Sequence, residues 1–103
     1  MKSIEELCEY IEEEIQDAKK YAERALFYKD TIPKLAKRYY DTSIQEMEHM
    51  SNFHKDVVEM IEDYRKEHGD PPQDMLWRWE YAHKHHIENA RQVKALQLLY
   101  KGD

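Results

Sequence analysis

From residue 3 to residue 29, apolar and small residues recur at helical spacing at Ile4, Leu7, Ile11, Ala18, Ala22 and Ala25, with Tyr21 and Tyr28 extending the seam. This is the period of one face of an α-helix, and the spacing predicts a first helix over about 3–29. Ser3 with Glu6 three residues later has the form of a capping box at its start. Asp30 and Thr31 offer cap oxygens and Pro33 suits a first helical turn. A second helix is therefore expected over about 32–68, with Leu35, Tyr39, Phe53, Val57, Met60 and Tyr64 along its seam. Gly69 and the prolines at 71 and 72 end that helix and open a third over about 72–101. The third carries Leu76, Trp79, Ala90, Val93 and Leu96 and closes at Gly102. Little of the chain reads as strand. The expected fold is all-α: an elongated antiparallel hairpin of helices 1 and 2 plus a third helix, in a single domain spanning 1–103.

Three titratable positions break the apolar seams. Continued in steps of three and four, the helix 1 seam passes through Glu14, and the helix 2 seam through Thr42, Glu46 and His49. A carboxylate withdrawn from water is costly unless it is paired, so each of these residues calls for a partner. Counting from a turn near residue 31, Glu14 lies about 17 residues before it, and Glu46 and His49 about 15 and 18 after it. At 1.5 Å per residue they stand at one level of an antiparallel pair, within roughly 3–5 Å. Two carboxylates and an imidazole at one depth need a cation or shared protons to neutralise them, and the set suits iron, manganese or zinc. The competing expectation is a metal-free polar cluster with Thr42 and Tyr21.

Composition narrows the classes further. Charged residues make up 37% of the chain, the net charge is −6 and the mean hydropathy is −1.04. This is the profile of amphipathic helices with solvated faces. The negative balance and the lack of a basic stripe argue against a nucleic-acid partner, and no segment suggests a membrane span or a secretory signal. The single cysteine, Cys8, has no intrachain partner and is expected as a small core residue of a cytoplasmic protein. Helices of about 40–55 Å are long for a 12.6 kDa chain with only a thin core, so self-association is expected. Glu9, Glu12, Glu13 and Asp17 form an acidic face on helix 1, expected to be solvated and able to concentrate cations.

A Glu followed seven residues later by Tyr (Glu14, Tyr21), then Glu-x-x-His in "EMEH" (Glu46 to His49) on the antiparallel partner, resembles the half-site of ferritin-like di-iron proteins. That group includes ferritins, rubrerythrins and encapsulated ferritins. Such bundles take one Glu from each of two helices and Glu-x-x-His from each of the other two. The resemblance covers about residues 10–65. It implies a ferritin-like four-helix bundle completed by dimerisation, with the metal ion as partner and a homodimer or higher homo-oligomer as the assembly. It further implies that Glu46 bridges two irons, Glu14 binds terminally and His49 caps each metal, with Tyr21 and Tyr39 orienting carboxylates or donating electrons. The implied activity is ferroxidase-type oxidation of Fe(II) to Fe(III) by dioxygen or peroxide. The alternative is a non-catalytic adaptor or structural bundle with a buried Glu/His network.

Helix 3 holds a second Glu-x-x-His, Glu80 to His83, and further histidines at 85 and 86. Reflected about a turn near 70, the level of Glu46 and His49 falls instead at about 92–95, roughly 13–18 Å from Glu80 and His83. These two, with His86, are secondary metal candidates outside the main constellation, and one further expectation is that His54 approaches His86. The three serines and two glycines form neither a nucleophile elbow nor a phosphate loop.

Overall fold

In a computed structural model describing residues 2–102, the chain forms α1 (Lys2–Tyr28), α2 (Pro33–His68) and α3 (Gln73–Lys101). The molecule measures 56 × 20 × 18 Å, close to the length of the 36-residue α2 itself. The helices begin and end within about a residue of the positions read from periodicity, but their caps differ from expectation. Ser3 already lies inside α1. Ile32, not Asp30 or Thr31, precedes α2, without a side-chain cap bond. The backbone carries that turn instead: Ile32 N donates to Tyr28 O at 2.9 Å, and Ala36 N to Ile32 O at 3.0 Å. With Pro33 in the first turn one orphan donor is already removed, which lowers the demand for a capping oxygen. Gly69 (φ 79°) and Gly102 (φ 86°) take the positive φ that side-chain-bearing residues avoid, and each closes its helix with a backbone bond.

The hairpin of α1 and α2 is the main packed unit, and α3 lies mostly against α1. Contacts of Glu5 with Arg78, Glu12 with Asn89 and Lys19 with Gln92 show α3 running parallel to α1. Glu5, Glu12 and Lys19 are seven apart and so form one stripe along α1. Glu12, expected to be merely solvated, therefore faces α3.

This third helix shifts the core away from the seam read in the sequence. The buried residues of α1 are Ile4, Ile11, Ile15, Ala18, Ala22 and Ala25, and those of α2 are Ala36, Ser43, Val57 and Ile61. Leu7, Glu14, Tyr21 and Tyr28, like Leu35, Tyr39, Thr42, Glu46 and Phe53, are half-buried, and His49 is exposed. The seam through Glu14, Glu46 and His49 is thus the open edge of the hairpin, because α3 covers the opposite side. Cys8 is likewise half-buried, packed against the core and not within it.

One buried polar relay joins all three helices. Ser43 Oγ donates to Ala18 O at 2.7 Å and accepts from Gln97 Nε2 at 2.9 Å. Periodicity alone gave no reason to place Gln97 in the core. Ser43→Ala should cost about 1–3 kcal/mol in denaturant unfolding, because it strands a buried amide. Adding Gln97→Leu should recover most of that loss, since the stranded donor is then gone.

Candidate metal centre

Glu14 from α1 and Glu46 and His49 from α2 come together as their levels along the helices require. One ligand atom from each lies within 4.8 Å of the others. Among the described residues this is the only group of three or more His, Cys, Asp or Glu with donor atoms so gathered. His49 Nδ1 stands 3.4 Å from Glu14 Oε2. That oxygen is buried and makes no hydrogen bond within the geometric limits, so its nearest polar approach is His49. His49 is more exposed, at 56% of its side chain against 24% for Glu14.

The electrostatics follow from crowding two carboxyl groups. Glu46 is pushed up from 4.5 to about 7, first by a hydrogen bond to the Glu14 carboxylate that only its protonated form donates, then by burial and the Glu14 charge. His49 pulls weakly the other way. Near neutral pH the pair therefore holds on to a proton that a cation would displace.

Aromatic pairs lie along the same edge of the hairpin, on either side of the trio in sequence. Tyr21 stacks on Tyr39 at 6.0 Å, Tyr39 on Tyr28 at 6.0 Å, and Tyr10 packs on Phe53 at 5.8 Å. Tyr21 and Tyr39 stand seven residues, about 10 Å along their helices, from Glu14 and Glu46 on the turn side, as members of a ring stack. On α1, Glu14 is two residues from Glu12, about 200° around the helix, so the trio faces away from α3.

The helix 3 candidates lie elsewhere. Glu80 is exposed, and neither His83 nor His86 belongs to the trio. His54 and His86 approach each other as expected, lining one side pocket, but the direct contact is with His83, His54 Nε2 to His83 Nδ1 at 3.1 Å. The helix is rotated so that His86, one turn on, faces α1, its Nε2 3.9 Å from Glu12 Oε2. Trp77 is 62% exposed while Trp79 packs against the core, on different faces as their spacing requires. No helix among the described residues is long and apolar enough to cross a membrane. Comparison with known proteins finds no matching family model, no matching curated protein and no matching solved structure.

Proposed function

We propose that the chain is a ferritin-like metal-binding protein in which Glu14, Glu46 and His49 are half of a di-iron centre, and that a second copy supplies the other half. The observation that carries this reading is the gathered donor set, with a buried Glu14 Oε2 that makes no hydrogen bond, on a partly exposed edge of the hairpin and not in a sealed core. Two carboxylates and one imidazole suit iron, with manganese or zinc as alternatives. Six ligands around two ions is the pattern of a bundle built from four helices, and a two-fold axis over the open edge of α1 and α2 would bring together four. That edge would then be buried by its own copy, as an isologous interface requires. Bound iron would supply the redox chemistry, taking Fe(II) to Fe(III) at the expense of dioxygen or peroxide. The chain's own part is to hold the ions and exchange the Glu46 proton for a cation.

A second reading also has a specific observation behind it. The proton that Glu46 keeps beside Glu14 removes one of the pair's two charges without any metal, as a polar network in a structural or adaptor protein would. Native mass and metal content separate the two readings. On addition of Fe(II) without oxygen, or of Mn(II), the di-metal reading expects a dimer with one ion per chain and a higher melting temperature. An unchanged mass and melt would favour the metal-free network.

The pH dependence has a definite sign. Below about 7 the folded protein holds the Glu46 proton, so binding a cation must expel it. Apparent affinity for Mn(II) should rise about tenfold per pH unit up to about 7 and flatten above, for release of one proton. Calorimetric titration in buffers of different ionisation enthalpy would count that proton directly.

A further inference from the structure

A second cluster of donors lies outside this centre. His54 of α2 and His83 and His86 of α3 line one side pocket of about 220 Å³, with Met50, Ile87 and Ala90 among its walls. We propose that His54, His83 and His86 form a separate site for a borderline, imidazole-preferring cation such as Cu(II) or Zn(II), and that the ion staples α3 to α2.

The argument begins with spacing. Two ligand nitrogens bonded at 2.0–2.1 Å to one tetrahedral ion stand about 3.3 Å apart. His54 Nε2 and His83 Nδ1 are 3.1 Å apart, so an ion can replace the proton between them with little movement. The third imidazole provides an independent observation. His86 is 6% exposed, and its Nδ1 is buried with no hydrogen-bond partner. Its other nitrogen faces Glu12 at 3.9 Å, which resembles the carboxylate that backs a ligating histidine and fixes which nitrogen is free. The structure does not gather His86 onto the pair as tightly as it gathers Glu14, Glu46 and His49. Bringing it onto the ion takes a side-chain rotation, which would give the orphaned Nδ1 a partner.

Protonation favours the site as well. Burial lowers both His54 and His86 below the usual imidazole range, and the neighbouring histidines lower them further, while Glu12 opposes this at His86. Both rings are therefore neutral at pH 7, the form that binds metal. The chemistry also differs from that of the carboxylate centre: an all-imidazole set selects Cu(II) and Zn(II), where two glutamates admit iron and manganese. Such a staple has a place to act, because α3 is held mainly by α1 and has few contacts with α2.

Trp79 makes the test direct. Its ring centroid lies 5.4 Å from that of His54 and 5.3 Å from that of His83, and the chain has only one other tryptophan. In a Trp77→Phe, Glu46→Gln chain, which isolates the Trp79 signal and weakens the carboxylate centre, Cu(II) should quench the emission saturably at one ion per chain. His54→Gln, His83→Gln and His86→Gln should each raise the half-quenching concentration at least ~10-fold, as loss of a metal ligand does. His85→Gln, at an exposed neighbour, should leave it unchanged. Helical circular dichroism of each variant verifies folding. For any that fails to fold, Zn(II) melting of the parent double variant replaces it, with an expected rise of roughly 10 °C at a hundredfold excess over Kd. Quenching linear in Cu(II), an unchanged midpoint in any of the three variants, or no Zn(II) shift would overturn the site.

Discussion

Replacing Glu46 by glutamine should raise the metal-free melting temperature at pH 8 and abolish metal-driven association, two opposite effects of one substitution. The first comes from linkage. The Glu46 carboxyl is held at about 7 in the fold against 4.5 as its ordinary value, so between those two pH values the folded state binds more protons than the unfolded chain. Stability then falls as pH rises from about 4.5 to about 7 and stays lowered above. Glutamine copies the protonated form, so the variant should escape this loss. Its advantage should be a few degrees at pH 8 and vanish near pH 4.5. The second effect comes from the site. If Glu46 holds metal as proposed, an amide is a poor substitute for its carboxylate, and its loss should weaken Mn(II) or Fe(II) binding by roughly 100-fold or more, beyond the 10–100-fold typical of a merely supporting group. Parallel melts at pH 5 and 8, with and without Mn(II), read both effects. If wild type and variant respond identically to Mn(II), the trio is not a metal site, whatever happens to the metal-free melts.

The elements and the trio were legible in the sequence for the same reason. Helical period and a short turn set both the apolar stripe and the level of each residue along the hairpin, and level is what gathers Glu14, Glu46 and His49. Depth was not legible. The heptad 7, 14, 21, 28 and the stripe containing 4, 11, 15, 18, 22 and 25 lie side by side on α1, and which becomes the core depends on where α3 lands. Periodicity within α1 and α2 carries no information on that docking. Hence Ile15 is fully buried although the seam passes it by. Rotation about the α3 axis was not legible either: level alone brings His86 near His54, but not His83 into direct contact with it. Gln97 was invisible for a different reason: a glutamine reads as surface until a hydroxyl such as Ser43, on another helix, is known to face it.

The shifted core leads to the largest stability effect expected. Ile11 and Ile15 are the largest fully buried side chains, and Ala18, Ala22, Ala25 and Ala36 contribute close approach but little volume. Few large groups therefore hold three long helices together, and each one weighs heavily against the small net stability of any single domain. Ile11 packs in the cluster with Ile4, Ile15, Val57, Ile61 and Val93. Ile11→Ala should cost about 2–5 kcal/mol, the transfer term for the removed methylene and methyls plus that of the cavity, lowering the metal-free melting temperature by roughly 10–30 °C. Leu7→Ala, at the half-buried neighbouring stripe, should cost clearly less in the monomer. The pair is informative because the uncorrected seam included Leu7 and Ile11 alike, and thermal denaturation of the two metal-free variants tells which stripe is the core. If Leu7→Ala proved the more damaging without metal, the open edge would already be covered in solution, and the trio of Glu14, Glu46 and His49 would lie in an interface before any cation arrives.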